Sequence, residues 1–421
     1  MKNSATDSLL SSLKASSEKE TLIQLVLLCL LGISFFTFKG GLYLFPMLIV
    51  LVHLYFRSFS YLNASDELSG VIKLLMLLIL TGVATSLLSN EGASSTVDFF
   101  RRASPLLAIP ISLYFFRFRH IRRLFSYSMV VGILVALGYS LAHLLQGEST
   151  SRLDSFWDVG RWGEILSYSF ILLLPLAFKK GAKQSSYLVR VSLLVLLGYI
   201  ALSGSRAPIL VLTVITALYF IFYNRKYFMT SFVMIVFAFT LLHFTFPQQI
   251  KIYEDRVVSI FNVKDEYSNV ARLKMWEEAA LFAKKNLIEE TPSFIFGVGM
   301  KKNRIKFEEY LKSEKKLKPL YQETNNQFST SDHHNAFWNL LNRMGVIYTA
   351  LFFIMIAYML RLSFKKSESE GCALHQSAFL LLLAYCMFGV FYSNQLSYQT
   401  YVMLFLWSFA ITYPNKMEQK I

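Results

Sequence analysis

"SDHHNAFWNLLNRMGVIYTALFFIMIAYML", residues 331–360, opens with an aspartate and two histidines and ends as an apolar run. From Ala336 to Leu360 the only charged residue is Arg343. About 20 apolar residues carry a helix across the hydrocarbon core of a bilayer, so this stretch predicts a transmembrane helix with ionisable groups at its mouth. Asn335, Asn339, Asn342 and Arg343 recur at helical spacing. Arg343 lies nine residues past His334, about 13 Å along a helix rising 1.5 Å per residue. A charge at that depth is costly unless it is paired or wetted. The polar stripe is therefore expected to face the bundle interior or a water-filled cavity.

The rest of the chain agrees with a membrane reading. It has 421 residues, 54% hydrophobic and 16% charged, against about 25% charged for a soluble globular protein. Spans are expected near 21–38, 41–57, 70–88, 104–116, 124–146, 165–180, 187–204, 206–224, 227–247, 336–360, 374–392 and 396–413. The fold class is all-α polytopic, with about 12 transmembrane helices. The first 20 residues are polar, so no cleavable signal is expected there and the first apolar run reads as an uncleaved anchor. Cys29, Cys372 and Cys386 offer no disulfide or metal spacing. The net charge of +15 raises nucleic acid as a partner. The basic residues sit in small clusters between apolar runs and form no face with interleaved aromatics, so no nucleic acid is expected.

Orientation follows from the bias of Lys and Arg toward cytoplasmic loops. With the N-terminus inside, the cytoplasmic segments hold nineteen Lys and Arg and the opposite short loops hold six. Both termini are thus expected in the cytoplasm. Three segments result: 1–247 with spans one to nine, 248–335 as an outer loop, and 336–421 with spans ten to twelve and the tail. Structureless loops longer than about 15 residues are uncommon, so 248–335 is expected to be a helical subdomain. Within it, Val270, Leu273, Trp276, Ala280 and Ala283 predict the buried stripe of one helix, capped by Ser268 or Asn269. "TPSFIFGVGMKKN" reads as a turn region, broken at Pro292, Gly297 and Gly299.

Candidate chemistry gathers on the outer side. His334, with an ordinary pKa near 6.5, can accept a hydroxyl proton at neutral pH. A zinc site is not expected, because no further ligands are spaced to complete one. In "SGSRAPIL", Ser203, Gly204 and Ser205 form a turn and Arg206 opens the next span. A cation at a helix N-terminus opposes the helix dipole, but becomes favourable where guanidinium and free N–H groups jointly hold an anion. Arg272 is expected in the first turn of the loop helix, repeating the pattern. In "TSRLDSFWDVGRWGEIL", Arg152 and Arg161 accompany Trp157 and Trp162, read as ordinary interfacial anchors. The outer side carries no paired-carboxylate motif for a divalent cation. Fixed arginines could neutralise a diphosphate leaving group without metal.

Three stretches in this order, "SGSRA" (203–207), "ARLKMWEEAA" with "FGVGM" (271–300) and "HNAFWNLLNRMGVIY" (334–348), resemble the O-antigen ligase and polymerase superfamily of bacterial envelope glycosyltransferases. In the last, His334 and Asn335 are followed by nine residues, then Gly345, then Tyr348. The resemblance implies a GT-C-like, metal-independent, inverting transferase without a cofactor, in a bacterial inner membrane and facing the periplasm. The donor it implies is a glycan on undecaprenyl diphosphate, and the acceptor lipid A–core oligosaccharide. Arg206 and Arg272 match the diphosphate-binding positions and Arg152 matches less well. His334 matches the general base, with His333, Asn335, Arg343 and Arg161 as supporting residues. An O-antigen polymerase joining lipid-linked repeats is the alternative, a protein O-glycosylating enzyme the third. Outside the enzymes, a flippase or transporter would place its charges near the midplane, often within paired repeats, and no repeat is found here.

Overall fold

The computed structural model describes residues 3–56, 66–146, 153–178, 183–226, 228–229, 266–393 and 395–413. The described residues are all-helical, with no strand among them. Eleven of the twelve expected spans have a helix at their position, and the ninth, 227–247, lies almost wholly outside the described residues. Six of these helices are long and apolar enough to cross a membrane: Glu18–Thr37, Glu67–Leu88, Arg119–His143, Arg206–Tyr223, Ala336–Ser369 and Ala373–Phe391. Gly41–Tyr55, Tyr187–Ser203 and Tyr398–Ile411 are apolar but shorter. The expected span at 104–116 is a 3₁₀ turn, Ser104–Leu107, running into a helix of eight residues, Ala108–Phe115. Pro105 and Pro110 explain the shortening, since each removes an N–H from the helical ladder.

In chain order, α1 (Asn3–Thr37), α2 (Gly41–Tyr55) and α3 (Asp66–Leu88) lead to an amphipathic helix, α4 (Ala93–Ala103). After α5 (Ala108–Phe115) come α6 (Arg119–Leu145), α7 (Val159–Ala177), α8 (Lys183–Ser203) and α9 (Arg206–Tyr223). The loop contains α10 (Tyr267–Glu289), α11 (Thr291–Phe296), α12 (Lys302–Ser313) and α13 (Leu317–Glu323). The chain then returns through α14 (Ala336–Glu370), α15 (Ala373–Phe391) and α16 (Tyr398–Ile411). α1 lies along α6, and α14 lies between α3 and α15. From Gln399 to Ile411 every residue of α16 is buried. A helix that is buried all round belongs at the centre of a bundle.

The loop carries a core of its own. Met275, Phe282, Phe307, Tyr310, Leu311 and Phe328 pack together, apart from the bundle's apolar cluster. The buried face of α10 consists of Ala271, Met275, Ala279, Phe282 and Ala283. This corrects the expected stripe, since Leu273 is exposed and only Ala283 is shared with it. The two faces have similar apolar content, and the pattern alone did not choose between them. α10 also starts earlier than expected. Glu266 is at the N-cap, Ser268 and Asn269 are inside the first turn, and Arg272 falls in the second turn.

The segment 291–300, expected as a turn, begins as the helix α11. Pro292 opens that helix rather than breaking it, because a helix's first N–H groups need no intrahelical partner. The glycine end of the segment locks the loop onto α14. Gly345 interrupts α14 with φ 77° and ψ 174°. The expected continuous helix is therefore two, with Arg343 on the short outer piece. The break frees two carbonyls, and Val298 N donates to Asn342 O (3.0 Å) and Gly299 N to Arg343 O (3.2 Å). A Cβ on Gly345 would lie 2.2 Å from Ile295 O, and one on Gly297 2.2 Å from Arg343 O. Two backbones cross here with no room for side chains, which gives "FGVGM" a structural reason.

Candidate active site

The outer end of α9 supplies the first cation. Gly204, at φ 62°, makes the turn. Ser205 holds the N-cap, but its Oγ donates to Val159 O (3.1 Å) rather than capping α9. The first-turn N–H groups of α9 are thus left for another acceptor. Arg206 Nη2 contacts Glu266 Oε1 at 2.6 Å and its Nη1 donates to Ser268 Oγ at 3.3 Å. This ties the start of α9 to the start of α10.

Arg272, from α10, is the second cation. Burial pulls its guanidinium below the usual arginine range, the Tyr392 hydroxyl pulls it up, and repulsion from Arg206 pulls it further down. Among the described residues, no carboxylate acts on its charge. Two like charges held together in a partly dry place favour a bound anion.

His334 sits in the bend just before α14. Its φ is +47°, a conformation that a non-glycine residue adopts only when its surroundings hold it. Asp332 Oδ1 accepts the His334 N–H at 2.7 Å, an Asx turn. Ser393 Oγ also donates to Asp332 Oδ1 and accepts from Asn335 N at 3.2 Å. Trp276 Nε1 donates to His334 O at 3.3 Å. The backbone is gripped from both sides, which aims the half-buried imidazole. Burial lowers the His334 pKa below 6.5, Asp332 draws it back up, and Arg272 pushes it down. The ring is therefore neutral at pH 7 and able to accept a proton.

Arg206, Arg272 and His334, widely separated in sequence, are thus linked by charge in pairs: Arg206 with Arg272, and Arg272 with His334. Arg343 lies behind the histidine. Its Nη2 donates to Ser331 O (2.8 Å), and its charge acts on Asp332. Burial would raise the Asp332 carboxyl, but His334, Ser393 and Arg343 together hold it below the ordinary aspartate value. Asn335 caps α14, its Oδ1 accepting from Phe337 N (3.0 Å) and Trp338 N (3.2 Å). Asn342 joins α14 to α10 through Ala279 O at 3.2 Å. The polar stripe thus divides into a cap, a clamp between helices and one cation.

His333 points elsewhere. It is fully buried against Phe307, edge-on at 4.7 Å, within the loop core. Burial, with Arg343 adding to it, pushes its pKa down to about 3. Arg161 is ion-paired with Asp158 at 3.1 Å and lines a groove on the bundle's flank. Arg152 lies outside the described residues. Trp157 and Trp162, expected at the interface, are instead buried in the main core. The chain leading into α7 folds inward over α16, where Trp157 stacks edge-on with Tyr398 at 5.4 Å.

Asp332, Glu266, Ser393 and Tyr392 are neighbours of the site that the sequence reading did not single out. Asp332 had a local signal, an acidic residue two positions before a histidine in a turn. Glu266, Ser393 and Tyr392 had none, because their partners are remote in sequence.

A family model described as O-antigen ligase matches residues 191–353. This interval contains Arg206, Arg272, His334 and both glycines of the backbone crossing. It supports the likeness to the O-antigen ligase and polymerase superfamily, and with it glycosyl transfer of ligase or polymerase type in lipopolysaccharide assembly. Together with the apolar helices it is consistent with an inner-membrane protein. No curated protein matches the chain.

Proposed function

We propose that this protein is an O-antigen ligase, moving a glycan from undecaprenyl diphosphate to lipid A–core oligosaccharide at the periplasmic face. What supports the reading is that two cations and one imidazole, far apart in sequence, act on one another's charge, Arg206 on Arg272 and Arg272 on His334. The Arg206–Arg272 pair binds the donor diphosphate, with the α9 N-terminus contributing N–H groups. The His334 imidazole takes the proton of the acceptor hydroxyl. That oxygen attacks the anomeric carbon from the side opposite the diphosphate, the carbon–oxygen bond to the diphosphate breaks, and the configuration inverts. The guanidinium groups stabilise the charge that develops on the departing diphosphate. Asp332 and Arg343 position the histidine without touching substrate. Twelve spans, cytoplasmic termini and a GT-C-like arrangement belong to the same reading.

The test combines purified protein, a lipid-linked glycan and lipid A–core in the presence of a chelator, scored for a new glycosidic bond. Formation of that bond supports the ligase reading. A polymerase would instead join two lipid-linked units and leave lipid A–core untouched. In a deletion strain, loss of all O-antigen attachment marks a ligase and a core bearing one repeat marks a polymerase.

A further inference from the structure

We infer that the groove between α2 and the arginines of α4 and α7 seats the lipid portion of a phosphate-bearing glycolipid acceptor. The inference rests on the proposed reading and adds the place where the second substrate sits. The groove has a volume of about 1080 Å³. One wall is a stripe of α2, Leu44, Met47, Leu51 and Leu54, each about half exposed. Positions i, i+3, i+7 and i+10 share one helical face, so this wall is a continuous apolar track suited to acyl chains. Its lining also includes Arg101, Arg102 and Arg161. All three come from segments assigned to the outer side by the Lys and Arg bias.

Charge complementarity selects the occupant. Arg101 Nη2 leans on Asp98 (3.3 Å) and Arg161 Nη1 on Asp158 (3.1 Å). Among the described residues Arg102 has no such carboxylate, and its Nε is buried without a hydrogen-bond partner. Lys301 adds a further positive charge on Asp98 at 2.7 Å. Guanidinium groups therefore outnumber carboxylates beside an apolar track, a pattern that fits phosphate attached to lipid. Position then selects the acceptor over the donor. The donor diphosphate already has the Arg206–Arg272 pair, on helices that do not line the groove. Arg343, which donates to Ser331 O just before the histidines, feels the charge of Arg102 from the groove's lining and of Asp332 from the site. In this arrangement the arginines take the lipid's phosphates and the α2 track takes its acyl chains.

The test reads binding without turnover, so it is independent of whether transfer occurs. Full-length protein in nanodiscs of zwitterionic lipid is titrated with bisphosphorylated lipid A and with its dephosphorylated counterpart. The wild type should prefer the phosphorylated form by at least about tenfold, since a hydrogen bond to a charged group contributes about 1.5–3 kcal/mol. Arg102→Gln should remove about tenfold of that preference. Met47→Trp, which fills the exposed track, should weaken both forms while leaving titration with undecaprenyl diphosphate unchanged. Wild-type affinity for lipid A in both variants would overturn the inference. So would equal competition by phosphatidylglycerol, which would make the groove a general seat for anionic lipid. Loss of lipid A binding in these variants, together with no transfer by the wild-type protein from any lipid-linked donor, would uphold the groove and refute the ligase reading.

Discussion

Two neighbouring histidines serve two regions of the molecule. His333 belongs to the apolar core of the loop, sealed against Phe307. His334 belongs to the candidate site, gripped at its N–H by Asp332 and at its carbonyl by Trp276. The left-handed backbone at His334 turns the two rings into different surroundings. Both are held neutral, but for different purposes. One ring is packed in an apolar core, while the other is only partly buried. An adjacent pair of identical residues therefore does not imply a shared role.

The contrast can be broken most sharply by replacing each ring. His334→Ala is expected to lower transfer about 10²–10⁴-fold, the usual range for a general base, with little change in melting temperature. An equal loss in His333→Phe, with its stability intact, would erase the distinction between the two. Next in size is the anion pair. Arg272→Ala should lower kcat/KM about 10²-fold or more, as for loss of one charge-stabilising donor. Arg206→Ala should act in the same direction, whereas Glu266→Gln, which only releases Arg206, should have a much smaller effect.

Asp332→Asn sharpens the comparison through pH. Asp332 raises the His334 pKa, so removing its charge lowers that pKa further. The acidic limb of the rate profile should move to lower pH, with a rate loss of about tenfold from looser positioning. An unmoved limb would separate Asp332 from the titrating group.

The last effect, on stability rather than rate, lies in the loop core. His333 has a folded pKa of about 3 against 6.5 in the free residue. The folded state therefore binds fewer protons, and stability is full above pH 6.5 and falls as pH drops toward about 3. The slope approaches about 1.4 kcal/mol per pH unit well below 6.5, so lowering the pH from 6.5 to 5 should cost about 1.6 kcal/mol through this group. Thermal melts of His333→Phe should show a weaker acid dependence than wild type by that amount.

The two regions also differ in how far the sequence disclosed them. Apolar runs located most bundle helices, because burial in lipid requires about 20 such residues whatever the partner. Arg206, Arg272 and His334 were legible as chemistry out of place at segment ends. The break at Gly345 was not, since glycine is common in membrane helices and only contact with Gly297 reveals its φ. Neither was the buried face of α10, where Ala271 and Met275 compete with Val270 and Leu273 on equal apolar terms. Glu266 and Ser393 depend on contacts between distant segments, which no local pattern encodes.

The claim beneath all of this is that the imidazole and the guanidinium pair act on one substrate with divided labour. Donor affinity and single-turnover transfer, measured side by side in His334→Ala and Arg272→Ala, test it most directly. The account predicts that His334→Ala binds lipid-linked glycan like wild type but barely transfers it, while Arg272→Ala binds it at least about tenfold more weakly. Near-wild-type transfer by His334→Ala, or unchanged donor affinity in Arg272→Ala, would contradict it.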